Sequence, residues 1–224
     1  MQISLVFILT SIICFMLFYR AVNYNPLAAA AFISMVLIQG MLAGTGFYSP
    51  AGHNAVRLSL KILPSVLIIT CLFLTRAGRR FADRLSLKSL TWMHIVRIPV
   101  EFVLHWLFVQ EMIPAAMTFE GYNYDILSGL YTPVIIMFAF RGRFARRNWL
   151  IGWNILCLIL LVNIVVISIL SAEFFFRHFG FGQPNQAVLY FPFVWLPSCI
   201  VPSLLFSHIV SLRKLLRYKG AFIS

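Results

Sequence analysis

The sequence predicts an all-α protein, a polytopic bundle of about seven transmembrane helices that forms a single domain over residues 1–224. Hydrophobic residues make up 61% of the chain and charged residues only 11%, whereas a soluble domain is about half apolar and about a quarter charged. The apolar residues fall in long runs separated by short polar breaks, which is the pattern of helices that cross a bilayer. The lipid bilayer is therefore the expected partner.

The first three apolar runs are separated by polar and turn-forming residues. No basic residue precedes the first run and no small-residue cleavage site follows it, so we interpret it as a helix rather than a cleaved signal peptide. A polar break ending in Pro26 precedes the second run, and a turn-rich stretch that begins at Ser49 precedes the third. The predicted helices span about residues 2–19, 27–48 and 58–75.

The remaining four runs are bounded by charged or aromatic connections. A basic stretch ending at Lys88 precedes the fourth run, and an acidic, polar stretch precedes the fifth. A basic loop that begins at Arg141 precedes the sixth run, and an aromatic, glycine-containing connection leads to the seventh. The predicted helices span about residues 89–113, 125–140, 149–172 and 190–212.

The distribution of basic residues predicts the orientation of the bundle. The loops after the third and fifth helices and the C-terminal tail are rich in Lys and Arg, and seven crossings place all three on one side. Basic loops of membrane proteins face the cytoplasm, so we expect an outside N-terminus and a cytoplasmic C-terminus in a plasma or inner membrane. The net charge of +12 then reflects orientation and contact with anionic lipid, and no nucleic-acid partner is expected.

The fourth predicted helix carries the most informative residues. His94, Arg97, Glu101 and His105 are spaced by three, four and four residues, which places them within about 80° of one helix face. An ionised side chain facing lipid at mid-helix costs roughly 2.5 to 3.5 kcal/mol. The stripe is therefore expected to face the interior of the bundle or a water-filled cavity.

Three interpretations of this stripe remain open from the sequence. Arg97 and Glu101 are one turn apart, so they are expected to be coupled, and a buried ion pair between them would serve only helix packing. Alternatively, the stripe lines a functional site, and transport or proton-coupled movement of a small solute is then the leading hypothesis. An intramembrane enzyme that uses Glu101 and His105 as acid and base is a further hypothesis.

Two histidines on different helices suggest a cofactor-binding or signal-sensing protein as another alternative. His94 follows Lys88 by six residues, and His208 precedes Arg213 by five. Both are thus expected about two turns or less from the cytoplasmic boundary. Histidines matched in depth could ligate a haem iron or another metal, and the ordinary alternative is that His208 forms a hydrogen bond to Ser207, Ser211 or a neighbouring helix.

The connection between the fourth and fifth helices is acidic. Glu111, Glu120 and Asp125 give it three negative charges, which predicts either an outer vestibule that attracts cations or a metal site shared with His53 or His178. The simpler interpretation assigns Asp125 as the N-cap of the fifth helix, accepting a hydrogen bond from a backbone N–H two or three residues on.

Two well-known classes of seven-helix protein are excluded by missing residues. The last predicted helix contains no lysine, which a microbial rhodopsin needs for its Schiff base. An opsin-type receptor would show an Asp-Arg-Tyr-like end of the third helix and an Asn-Pro-x-x-Tyr-like end of the seventh, and neither occurs.

Overall fold

The computed structural model describes residues 2–49, 55–141, 146–172 and 182–217. Within these ranges the chain forms helices and connections, without a strand, which confirms the all-α prediction. The described residues form nine α-helices, namely α1 (Gln2–Ala21), α2 (Pro26–Gly44), α3 (Ala55–Leu74), α4 (Arg76–Arg84), α5 (Leu87–Trp92), α6 (Arg97–Val109), α7 (Ile126–Ala139), α8 (Arg147–Leu170) and α9 (Val201–Arg217).

Five stretches of the described chain are long and apolar enough to cross a membrane. Three are α1, α2 and α8. The fourth is Leu87–Val109, in which a 3₁₀ turn joins α5 to α6, and the fifth is Leu196–Arg217, in which a π-helical turn precedes α9. A sixth stretch joins most of α3 to α4 across a bend of 95°, and α7 is a shorter apolar helix of 14 residues. The count of seven therefore stays a prediction.

The basic segment after α3 was expected to be a loop, and it forms α4 instead. The Thr75 hydroxyl caps the new helix by accepting a hydrogen bond of 3.0 Å from the backbone N–H of Gly78. A Cβ at Gly78 would lie 2.0 Å from the carbonyl oxygen of Leu72, so glycine is required where the chain turns this sharply. The Arg79 guanidinium closes the end of α3 by donating to the carbonyl oxygens of Phe73 and Leu74, each at 2.8 Å.

Three other predicted boundaries differ from the structure because apolar character does not separate a helix from a buried turn. The second helix ends at Gly44, and Gly46 turns the chain away with a φ of +73°. The fourth ends at Val109, two residues before Glu111 at a φ of +58°. The last transmembrane stretch begins at Leu196 rather than near residue 190.

The packing leaves a wide apolar surface uncovered. The main core joins side chains of α1, α5, α6 and α9, among them Phe7, Leu90 and Leu204. By contrast, Leu27 on α2 is 80% exposed and Met137 on α7 is 74% exposed. Such a surface is expected where lipid covers the protein rather than water.

The basic segments gather at one end of the bundle. Arg213 of α9 forms an ion pair of 3.0 Å with Asp83 of α4, and the Arg147 Nε of α8 donates to the carbonyl oxygen of Leu215 at 2.6 Å. At the opposite end, the backbone N–H of Gln186 donates to the carbonyl oxygen of Met112 at 2.9 Å. The side of the membrane that this end faces stays a prediction.

Candidate functional site: a buried polar cluster

A group of buried polar side chains lies between α6, α7, α8 and α9. Each of them is at most 5% exposed, and hydrogen bonds or ring stacking connect them all. This polar cluster consists of His94, Arg97, Glu101, Asn123, Asp125, Asn154, Ser207 and His208. It includes three residues of the predicted stripe on the fourth helix.

Arg97 lies at the centre of the polar cluster. One of its terminal nitrogens donates to the Asp125 carboxylate and also lies 3.3 Å from the carbonyl oxygen of Cys157. The other terminal nitrogen lies 2.8 Å from Nε2 of His208. Arg97 was expected to pair with Glu101 on its own helix, but the fold brings the Asp125 carboxylate to the guanidinium instead. The guanidinium thus connects α6 to α8, α9 and the start of α7.

The bonds around His208 define its tautomer. Because a guanidinium N–H can only donate, His208 Nε2 is the acceptor and the ring hydrogen is on Nδ1. This Nδ1 donates to the side-chain oxygen of Asn154 at 3.0 Å, and the Asn154 amide donates to the carbonyl oxygen of Leu150 at 2.8 Å. His208 is therefore held as a neutral ring that joins α9 to α8.

His94 stacks on His208, with ring centres 4.1 Å apart and planes inclined by 24°. The Ser207 hydroxyl donates to the carbonyl oxygen of Leu90 at 2.8 Å, so its oxygen accepts from His94 Nε2 at 3.3 Å. The rings of Trp153 and His94 form a T-shaped contact, at 5.0 Å between ring centres. These contacts hold the 3₁₀ turn that contains His94 against α8 and α9.

The arrangement of the His94 and His208 rings does not resemble a bis-histidine haem site. Axial histidines bind iron from opposite faces of a porphyrin, whereas these rings stack in direct contact. Both nitrogens of His208 are engaged by protein groups. The described part of the chain contains no group of three or more His, Cys, Asp or Glu arranged to hold a metal ion.

Glu101 is bonded by an amide rather than by a cation. The Asn123 side-chain nitrogen lies 2.7 and 2.8 Å from the two carboxylate oxygens of Glu101, and it also donates to the carbonyl oxygen of Met117 at 3.0 Å. Asn123 is fully buried in the connection that precedes α7. Glu101 thus has a single amide group as its bonding partner in the interior of the bundle.

Asp125 occupies the predicted N-cap position of α7 but does not cap the helix. Its carboxylate makes no hydrogen bond to the first backbone N–H groups. It accepts from Arg97, and from the Ser128 hydroxyl at 3.4 Å. Its own backbone N–H donates to the side-chain oxygen of Asn123 at 3.0 Å. The cap prediction was wrong because the buried guanidinium competes for this carboxylate.

A glycine allows α7 to approach the polar cluster closely. A Cβ at Gly129 would lie 2.7 Å from Cγ1 of Ile98 and 3.4 Å from Cβ of Arg97. Because real side chains essentially never pack at the shorter of these distances, alanine there would require the Ile98 side chain or α7 to shift. Gly129 therefore allows the close approach of α7 to α6 beside Arg97.

The other predicted site residues lie outside the polar cluster. His105 is partly exposed, stacks on Phe119 with ring centres 4.9 Å apart, and places Nδ1 3.3 Å from a carboxylate oxygen of Glu120. Glu111 is exposed. The acidic connection is therefore divided, because Asp125 is buried while Glu111 and Glu120 remain near the surface.

The acid–base pair considered for an enzyme has separate partners, because Glu101 is bonded to Asn123 and His105 lies beside Glu120. The two further histidines considered for an outer metal site, His53 and His178, lie outside the described residues.

Some buried atoms of this region have no hydrogen-bond partner within the described chain. They are His94 Nδ1, Arg97 Nε and the indole nitrogen of Trp153. With Nε2 of His94 donating to Ser207, its Nδ1 is a free acceptor, while the other two atoms are donors. The histidine pair and the guanidinium therefore retain capacity for further hydrogen bonds.

Two functional candidates were not found from the sequence. Asn154 is a polar residue within a long apolar run, and this position, like that of Glu101, indicates a side chain that faces the interior of the bundle. Asn123 lies in a polar connection, where nothing in the sequence distinguishes a buried amide from a solvated one.

Comparison with known proteins identifies a family without a described activity. A family model described as "Domain of unknown function (DUF8737)" matches residues 55–216, a range that contains the entire polar cluster. No curated protein matches the chain, and no solved structure matches it.

Proposed function

The chain belongs to the family of the domain of unknown function DUF8737, and we propose that it is a multi-pass membrane protein whose polar cluster binds a proton in step with the movement of a small solute. The observation that carries this proposal is the state of Glu101. It is a carboxylate that is 1% exposed, and the guanidinium nearest along its helix is bonded to another carboxylate.

The charges of the polar cluster do not balance when both carboxylates are ionised. Arg97 contributes one positive charge, Asp125 and Glu101 contribute one negative charge each, and the bonding of His208 requires a neutral ring. A net negative charge in the interior of a membrane protein costs several kcal/mol. Binding one proton or one small cation at Glu101 removes it.

Protonation of Glu101 would alter hydrogen bonds throughout the polar cluster. Asn123 bonds the Glu101 carboxylate with its nitrogen and the backbone N–H of Asp125 with its oxygen. Asp125 in turn bonds Arg97, which bonds His208. Neutralising Glu101 weakens the charge-assisted hydrogen bond from Asn123. Through Asp125 and Arg97, this change in hydrogen bonding extends to α7 and to His208 of α9. This linkage supports coupling between proton binding and helix movement.

We further propose the seven-crossing topology, with the N-terminus outside and the C-terminus in the cytoplasm of a plasma or inner membrane. The bent pair of α3 and α4 supplies one crossing and α7 another. At about 1.5 Å per residue, α7 is about 21 Å long, shorter than the roughly 30 Å hydrocarbon core. The connection before it, which buries Asn123 and Asp125, completes this crossing inside the bundle.

The protonation of Glu101 is testable by infrared difference spectroscopy on the purified protein during a pH step. Wild type is expected to show a protonated-carboxyl band that disappears in Glu101→Gln. Glu120→Gln is the matched control, because Glu120 is half exposed and its band does not belong to a buried group. A band unchanged in Glu101→Gln would refute proton binding at this residue.

Coupling to a solute needs a separate measurement in proteoliposomes that contain a pH-sensitive dye. Gradients of amino acids, sugars, organic cations and inorganic ions are applied in turn. The expected result is solute-driven proton flux with wild type and with Glu120→Gln, and loss of that flux with Glu101→Gln. Solute flux that is equal in wild type and Glu101→Gln and moves no protons would contradict the coupling while leaving transport in place.

The orientation can be tested with reporter fusions at the C-terminus. A reporter that is active only in the cytoplasm is expected to be active, because the basic end of the bundle contains the end of α9. Activity of a periplasmic or extracellular reporter at this position would overturn the proposed topology.

A further inference from the structure

A large apolar cavity lies on the other side of the bundle from the polar cluster. Its volume is about 460 Å³, and it is lined by α1, α2, α3, α4 and the last transmembrane stretch. The walls include Phe32 and Met35 of α2, Ile69 of α3, Phe81 of α4 and Phe206 of α9. The lining is almost entirely hydrophobic.

The few polar groups on the cavity wall have protein partners. The Ser65 hydroxyl donates to the carbonyl oxygen of Ser198 at 2.5 Å, and the Ser203 hydroxyl donates to that of Ile200 at 2.7 Å. The Asn25 side-chain oxygen accepts from the backbone N–H of Ala28 at 3.0 Å and caps α2. A polar ligand would therefore find few groups to bind, whereas a hydrocarbon ligand suits these walls.

The cavity opens toward the membrane rather than toward the polar cluster. Leu27 at the start of α2 and Ile68 in α3 line it, and both are exposed, at 80% and 47%. An opening between two lipid-facing helices is accessible from within one leaflet. An acyl chain can enter there without crossing water.

Cations lie beside the cavity on α4. Ala77, Gly78 and Phe81 contribute to its wall, and the neighbouring residues Arg76 and Arg80 are exposed. The single acidic residue of α4, Asp83, is engaged by Arg213 and Arg217 of α9. α4 therefore combines a side that lines the cavity with exposed positive charge on neighbouring residues, which favours an anionic headgroup.

We propose that this cavity holds one acyl chain of an anionic phospholipid, drawn from the leaflet beside α4, with the phosphate held at Arg76 and Arg80. An apolar cavity of about 150 Å³ accommodates benzene, so a cavity about three times larger has room for on the order of 18 carbon atoms, the length of a membrane acyl chain. The proposal is independent of proton binding at Glu101, because the polar cluster and the cavity share no residue.

The test uses native mass spectrometry of the full chain released from nanodiscs that contain phosphatidylglycerol and phosphatidylcholine. Wild type is expected to retain one phosphatidylglycerol. Ala31→Phe, which fills the cavity from α2, is expected to lower retention by about tenfold. Ala30→Phe is the matched control, because Ala30 is exposed on the same helix and does not line the cavity, so it retains the lipid.

The headgroup is tested by a charge-matched pair of double variants. Arg76→Gln with Arg80→Gln is expected to reduce the preference for phosphatidylglycerol over phosphatidylcholine by on the order of tenfold. Lys88→Gln with Arg141→Gln removes two exposed charges away from the cavity and is expected to leave the preference unchanged. Equal retention of the two lipids by wild type would overturn the anionic-lipid assignment.

Photo-crosslinking of the wild-type chain tests the same proposal without a substitution, and so does not depend on the folding of a variant. Phosphatidylglycerol with a photoreactive group on its acyl chain is expected to attach to cavity residues such as Met35 and Phe206. Attachment confined to the exposed face of α8 would show only surface lipid and would overturn the proposal. Retention of free fatty acid in place of phospholipid, or closure of the opening by a second copy of the chain, would overturn it as well.

Discussion

The polar cluster and the apolar cavity occupy two sides of one helical bundle and are built in opposite ways. Arg97 is 1% exposed and is held by groups from three other segments. The cavity instead holds about 460 Å³ of open space between α2 and its neighbours. α2 is loosely embedded, with two buried residues, Gln39 and Ala43. The comparison indicates that α6 to α9 pack closely around polar contacts, whereas the packing of α2 leaves room for a ligand.

The largest effect is expected from removing the guanidinium at the centre of the polar cluster. Arg97→Met removes the cation that is bonded to the buried Asp125 carboxylate and is expected to cost about 3 to 5 kcal/mol of stability, measured by chemical denaturation in detergent. Adding Asp125→Asn should restore part of this loss, because the unpaired charge is then removed. A double variant no more stable than the single one would break the proposed pairing.

A smaller effect is expected from crowding the contact between α6 and α7. Gly129→Ala pushes a Cβ against Ile98 and is expected to cost about 1 to 3 kcal/mol. The control is Gly152→Ala in α8, where a Cβ meets no atom within 4 Å. That change is expected to be neutral or to stabilise by about 0.5 to 1 kcal/mol, as for glycine in a helix interior. Equal results for the two variants would show that α7 is free to move.

The hydroxyl that supports the histidine pair is expected to contribute less. Ser207→Ala leaves the Leu90 carbonyl and His94 Nε2 without their partner, at a cost of about 1 to 2 kcal/mol. Ser34→Ala, at an exposed position of α2, is the control and is expected to change the melting temperature little. If Ser207→Ala is also neutral, the His94 bond contributes nothing to stability.

The smallest effect, of opposite sign, is expected at the cavity. Ala31→Leu adds a side chain to open space and is expected to stabilise the protein by about 0.5 kcal/mol, whereas Ala30→Leu on the exposed face should have no effect. A loss of stability like that of Gly129→Ala would mean that α2 packs as tightly as α7. The contrast between the two regions would then disappear.

Part of the polar cluster could be predicted from the spacing of polar and charged residues along one helix. His94, Arg97 and Glu101 were identifiable because charged and polar residues at helical spacing in an apolar run have to face inward. Their partners were not identifiable in the same way. Local rules predict Asp125 as a helix cap and do not distinguish Asn123, because they cannot tell which residue of a distant connection will fold back against a buried guanidinium.

The sequence by itself determined that the chain is an all-α protein with an apolar surface, because helical periodicity and hydrophobic runs are local properties. It also determined that polar side chains must be buried on the fourth predicted helix, because the cost of exposing charge to lipid does not depend on the fold. Only the tertiary structure decided which groups form hydrogen bonds and ion pairs with these polar side chains. It also decided that the chain bends by 95° between α3 and α4, at Thr75. The cavity is likewise a tertiary property, since it arises where five segments meet incompletely and no single segment encodes it.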